Sequence, residues 1–164
     1  DGSEYTIGAL VLSNFGEEGN LVIGGRHYGS ELLPKVKERL KSDIDGSLAK
    51  DKGSIIMLIA TDIPLSSRQL ERVANRAAIA LGRTGSYMGN GSGDIAIAFS
   101  TANRMPHYSD EKFVEIKVIH EDAIDKVFEP VVEALEESII SSLYHAKTTK
   151  GVRGKLVYGL REFI

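Results

Sequence analysis

Apolar positions along this chain alternate between a period of two and a period near 3.6, and each change of period marks an element. Residues 4–13 (EYTIGALVLS) read as a strand; turn chemistry over 14–20 and the apolar run 21–23 then predict a hairpin. Leu32, Leu33, Val36 and Leu40 fall at helical spacing behind a possible Ser30 cap, so a helix is expected over 30–41, with Pro34 tolerated in its first turn. Residues 42–53 (SDIDGSLAKDKG) are polar and without period, which predicts a mobile linker. The run 55–60 (IIMLIA) is too short for a membrane span and too apolar for a loop; it reads as a strand buried on both faces.

Beyond that strand, Ser66 and Gln69 have the spacing of a capping box, and Leu70, Val73, Ala74, Ala77, Ala78 and Leu81 predict a helix over 67–81 closed by Gly82. The loop 82–93 is glycine-rich, residues 94–100 (DIAIAFS) predict a strand, and 101–112 form an irregular connection. Alternation over 113–120 (FVEIKVIH) predicts a half-buried strand. Helical spacing from 122 to 145 predicts a long helix that Pro130 kinks or splits, and 151–164 holds a short terminal element. The succession predicts an α/β layered fold with a mixed, mainly antiparallel sheet. Two sheets between helix layers would suit strands buried on both sides.

Composition narrows the function classes. A chain of 164 residues is expected to form a single domain, 1–164, with a substantial core. It has no cysteine, which removes disulfides, thiolate metal sites and thiol nucleophiles. Twenty Lys and Arg against 23 Asp and Glu, interspersed, leave a net charge of -3 and give no basic patch for nucleic acid. No membrane span and no signal-like stretch is seen, so a soluble, cytoplasmic protein is the expectation. The chain opens on Asp1 in mid-pattern, which suggests processing or a piece of something longer.

Chemistry concentrates at two places. The loop Gly89-Asn90-Gly91-Ser92-Gly93-Asp94 has the glycine spacing of a phosphate turn, but it leads into a strand, whereas a nucleotide fingerprint opens a helix. A plain turn accounts for it, although Ser92 and Asp94 could orient a nucleophile and its proton. His27, His107, His120 and His145 lack metal-ligand spacing, and no G-x-S-x-G elbow supports a serine triad; no metal or cofactor is expected. Gly53-Ser54 offers another route. Were the chain cut there, the α-amine of Ser54, with a pKa near 7.7 to 8.0, could act as the base for its own hydroxyl. The cut itself would be an attack of the hydroxyl on the Gly53 carbonyl, giving an ester that water hydrolyses. Taken alone, the pair is common and is better explained as a plain loop-to-strand junction.

Its surroundings carry more information. From Gly53 to Asn103 the chain contains GSII, ATDIPL, GRTGS, NGSGD and FSTAN, and upstream it contains YTIGALVLSNFG. This combination resembles the DmpA-type aminopeptidases, the L-aminopeptidase D-esterase or β-peptidyl aminopeptidase family, over nearly the whole chain as the C-terminal part of a longer precursor. The resemblance implies an N-terminal-nucleophile-like αββα sandwich. It also implies self-cleavage between Gly53 and Ser54, so that 1–53 ends an α-chain and 54–164 forms a β-chain. Ser54 would be the nucleophile, Ser92 and Asp94 would support its activation, and Asn14 would donate to the oxyanion, a role worth roughly 3 to 4 kcal/mol. The family allows Asp or Glu at the position of Asp94. A further family tyrosine lies in the part of the precursor not included here. Substrates would be peptides, amino-acid amides or esters; partners would be the rest of the precursor and further copies in a homo-tetramer.

Two other readings stand beside this one. Ornithine acetyltransferases share a self-cleaving architecture but use a threonine nucleophile, where this chain has serine. A non-enzymatic α/β module would use Ser54 and Ser92 only as cap and turn.

Overall fold

The computed structural model describes residues 4–41, 53–154 and 156–164, with the side chains of Lys41 and Arg153 left aside. The elements run β1 (Ile7–Asn14), β2 (Val22–Ile23), β3 (Arg26–His27), α1 (Tyr28–Lys41), β4 (Ser54–Thr61), α2 (Ser67–Ala74), α3 (Ala77–Arg83), β5 (Ile95–Ser100), α4 (Asp125–His145), β6 (Thr149–Lys150) and β7 (Leu156–Val157). The main sheet has the order β1-β4-β5, with β1 antiparallel and β5 parallel to β4. The parallel pair follows from the connection through α2 and α3, since parallel neighbours need a crossover.

Residues 55, 57, 59 and 61 of β4 point to one face, where α2, α3 and α4 cover them. Ile55, Met57 and Ile59 meet Val73, Ala77, Ala80 and Leu81 from α2 and α3, and Val131, Leu135 and Ile139 from α4. α3 itself packs chiefly against α4, while α2 and α4 approach the sheet. Polar groups in this layer are satisfied. Thr61 donates to the Thr6 carbonyl at 2.8 Å and accepts from the Ile63 N–H at 3.1 Å. Ser138 of α4 donates to the Ala9 carbonyl of β1 at 3.1 Å. Gln69 holds the strand-like segment ahead of α4, donating to the Ile119 carbonyl and the Glu121 carboxylate. That bond, with Arg68 and Arg72 alongside, lowers the Glu121 pKa below the usual carboxylate range; the group is exposed, so solvent screens its effect.

The capping box of Ser66 and Gln69 forms as the spacing predicts. Several expectations are corrected. β1 pairs with β4 and not with the run at 21–23; the small hairpin is instead β2 with β3. The helix expected over 67–81 breaks at Asn75 and Arg76, where Arg76 N–H bonds Val73 and Ile79 N–H bonds Arg76, three residues back in each case. Ser30 sits inside α1, its hydroxyl donating to the His27 carbonyl. Residues 113–120 run beside the fold without entering a ladder. α4 stays one helix through Pro130, which is exposed near its start, where water can serve the freed Lys126 carbonyl. The tail contains the short β6–β7 pairing. The linker expected over 42–53 lies outside the described residues except for Gly53.

β4 is buried on one face only. Leu10 and Leu12 of β1, Ile56 of β4, and Ile95, Ile97 and Phe99 of β5 share the other face, 40 to 70% exposed. The main sheet and the helices α2, α3 and α4 thus form two layers, half of the four layers of an αββα sandwich. Among the described residues, no helix is long and apolar enough to cross a membrane.

Leu135 is fully buried between α4 and the sheet, so Leu135→Ala should lower unfolding free energy by about 2–5 kcal/mol in denaturant titration. The exposed Glu133→Ala on the same helix should change it by less than about 0.5 kcal/mol.

Candidate functional site

Ser54 is the first residue of β4, and Asn14, the last residue of β1, is its cross-strand partner. Cross-strand partners point to the same side, so both side chains belong to the exposed face and lie at its end. Both residues are exposed. The Ser54 hydroxyl oxygen accepts a hydrogen bond from the Gly93 N–H at 3.2 Å. Gly93 stands between Ser92 and Asp94, and the Ser92 hydroxyl donates to Asp94 Oδ1 at 2.6 Å. Ser92 and Asp94 are half-buried, and the Ser92 N–H closes a turn onto the Gly89 carbonyl at 2.9 Å. The turn before β5 is carried to the start of β4 by the parallel pairing that begins at Ile56 and Ile95. Asn14, Gly53, Ser54, Ser92 and Asp94 therefore meet in one corner, from three separate stretches of chain.

Two glycines make the corner possible. A Cβ on Gly53 would stand 1.8 Å from the Asn14 carbonyl oxygen, so only glycine lets the end of β1 cross in front of the Gly53-Ser54 bond. A Cβ on Gly93 would come within 3.2 Å of the Ser54 hydroxyl oxygen. The Gly93 N–H is the group in contact with Ser54 that sequence reasoning did not single out. Its signal was the glycine flanked by Ser92 and Asp94.

A cavity of about 450 Å³ opens on the Gly53 side, with Asn14, Phe15, Leu32, Tyr158 and Phe163 among its walls. The Ser54 hydroxyl does not line it; the hydroxyl faces the open side of the sheet. All four histidines are exposed and stand elsewhere: His27 on β3, His107 edge-on to Tyr108, His120 accepting from the Asp122 N–H, and His145 bonded to Ser141. Among the described residues, no group of three metal-ligating side chains is gathered.

A serine held at the start of a central strand, opposite an asparagine and beside a Ser–Asp pair, marks a hydrolase of the N-terminal-nucleophile class as the chemistry to compare. The model of peptidase family S58 matches residues 1–157, and the chain belongs to that family. It is 38% identical over 165 residues to the β-peptidyl aminopeptidase BapA of Sphingosinicella microcystinivorans, covering 98% of this chain and 42% of that protein. A crystal structure of a Pyrococcus horikoshii OT3 protein superposes with a TM-score of 0.82 at 48% identity, over 98% of this chain and 41% of that one. The L-aminopeptidase D-Ala-esterase/amidase of Ochrobactrum anthropi, a prototype serine aminopeptidase and a variant of the Ntn hydrolase fold, superposes with a TM-score of 0.79 at 34% identity; the match covers 95% of this chain and 40% of that one. The fold is accordingly α/β of the Ntn-hydrolase kind. The chain spans about two-fifths of the length of the relatives it matches.

Gly53→Ala forces a carbon into the Asn14 carbonyl and should lower the denaturant midpoint, by the equivalent of roughly 1–3 kcal/mol. Gly82→Ala is the contrast. It lies in α3 with nothing within 4 Å of its added carbon, and should raise stability by up to about 1 kcal/mol.

Proposed function

We propose that this chain is the C-terminal part of a self-processing serine aminopeptidase, cut between Gly53 and Ser54 so that residues 1–53 end one chain and 54–164 form the other. The observation that carries the proposal is the Ser54 hydroxyl, fixed by the Gly93 N–H opposite Asn14, in a chain of peptidase family S58. In the first step Ser54 Oγ attacks the Gly53 carbonyl carbon. The C–O bond forms, the C–N bond breaks, and the nitrogen leaves as the α-amine of Ser54. Water then hydrolyses the ester and releases a carboxylate on Gly53. The steric freedom of glycine at 53 serves this attack, because no side chain shields the carbonyl.

The freed amine then takes the proton from Ser54 Oγ as it attacks the carbonyl of a substrate's N-terminal residue. Asn14 donates to the oxyanion, where a carboxamide is worth most because charge develops there. The Ser92 hydroxyl already donates its hydrogen bond to Asp94, so its oxygen is left to accept from the α-ammonium and orient it. Water releases the acyl group. Substrates of this class carry an N-terminal amino acid in peptide, amide or ester linkage, as the names of the relatives say of those proteins. The apolar sheet face beside Ser54 is covered by the remainder of the precursor, which supplies the second sheet and helix layer of the αββα sandwich. A homo-tetramer of processed protomers belongs to the same proposal and rests on the family resemblance alone.

In the full-length precursor, Ser54→Ala should remain one chain on a denaturing gel and show no release of p-nitroaniline from amino-acid p-nitroanilides. Two fragments from that variant would overturn the assignment. Acetyl transfer to ornithine by the parent enzyme would instead place it with the acyltransferases. Asn14→Ala should reduce kcat by roughly 10²–10³. With the α-amine as base, kcat/KM of the processed enzyme should rise as pH passes through about 7 to 8, since the amine must lose its proton first.

A further inference from the structure

The segment predicted as a strand over 113–120 has the bonding period of one, although it pairs with none. Lys117 donates its N–H to Asn103 Oδ1 at 2.9 Å and accepts at its carbonyl from Asn103 Nδ2 at 2.8 Å. Two residues on, Ile119 donates its N–H to the Pro64 carbonyl and accepts from Gln69. Alternate residues thus turn both backbone groups toward the protein, as in an extended strand with one edge bonded. The backbone groups of Val114, Ile116 and Val118 make no hydrogen bond among the described residues, and in an extended chain they would turn the other way. The side chains of these three residues are about half exposed, and Phe113 is 89% exposed. A free apolar edge of this kind is a template for another strand.

We infer that its partner is the same segment in a second copy of the protein, paired antiparallel about a two-fold axis at Ile116. The sequence Val114-Glu115-Ile116-Lys117-Val118 is complementary to itself when reversed. Pairing about Ile116 sets Val114 against the partner's Val118 and Ile116 against the partner's Ile116. These are the residues whose N–H and C=O are free, so each such pair can exchange bonds in both directions. Glu115 then faces the partner's Lys117 at the pairs without backbone bonds, where side chains approach most closely and opposite charges attract. Because the axis repeats every contact, the charge match occurs twice. A strand from the rest of the precursor is the other occupant this edge could take, and it would leave the mass of both single-charge variants unchanged. The inference goes beyond the proposed reaction, because it locates where copies meet and touches none of the residues at Ser54.

The test uses the full-length protein at low ionic strength, with mass measured by sedimentation or light scattering. Glu115→Lys sets lysine against lysine, and Lys117→Glu sets glutamate against glutamate. Each should weaken self-association by roughly tenfold or more. The double variant Glu115→Lys with Lys117→Glu restores opposite charges across the axis and should recover the parent mass. Recovery in the double variant cannot come from misfolding of the single ones, and cleavage at Gly53-Ser54, scored separately on a gel, should be the same in all three. An unchanged mass in either single variant, or no recovery in the double, overturns the inference. That outcome leaves the hydrolase reading standing, whereas failure of Ser54→Ala to block cleavage would leave this interface standing.

Discussion

The antiparallel ladder between β1 and β4 is the constraint on which the rest depends. Its register runs from Ile7 opposite Thr61 to Asn14 opposite Ser54. A slip of one residue would turn every side chain of β1 to the opposite face and take Asn14 away from Ser54. The register is held along the whole strand by groups other than the site residues. Ile55, Met57 and Ile59 must enter the helix layer, Thr61 bonds the Thr6 carbonyl, and Ser138 of α4 bonds Ala9. Positioning of an exposed polar pair is therefore set by burial of an apolar face on the same strands, which places the candidate site on rigid elements rather than loops.

The second support is the parallel pairing of β4 with β5, which brings the Ser92-Gly93-Asp94 turn beside the start of β4. A crossover through α2 and α3 is needed for that pairing, and both helices are fixed by the same core. Arg76 stacks its guanidinium over Phe128 of α4 at 3.7 Å, at the break between α2 and α3, and so ties the crossover to the long helix. Core, crossover and corner are one mechanical unit. Its other side is open: six apolar side chains continue from Ser54 and Asn14 across the uncovered face. In the proposed enzyme the nucleophile lies where two layers of the sandwich close on each other, so the layer that buries the face also shapes the space above Ser54.

Local rules made part of this legible. The Ser66 and Gln69 box formed because its bonds are internal to one turn, and the run at 55–60 formed a strand because little else accommodates six apolar residues of that kind. Misjudged features were those decided by distant partners. Turn residues at 14–20 suggested a hairpin, yet β1 found a longer and better apolar partner in β4, forty residues further on in the chain. Pattern alone could not say that 113–120 would have no ladder, because alternation records which faces suit burial and not whether a neighbour is present. The break between α2 and α3 was hidden for a similar reason: every residue around Asn75 tolerates a helix.

The sequence by itself determined the chemical vocabulary. It contained a serine after a glycine at the head of an apolar strand, a Ser-Gly-Asp turn, an asparagine ending another strand, and no cysteine, because residue type and spacing are local properties. Only the tertiary structure decided that these groups share one corner, that the hydrogen bond to Ser54 comes from the Gly93 backbone, and that Gly53 is glycine because the Asn14 carbonyl leaves room for nothing larger. A contact between residues 14, 54 and 93 depends on strand register and on a crossover, and both are set by how the whole core packs.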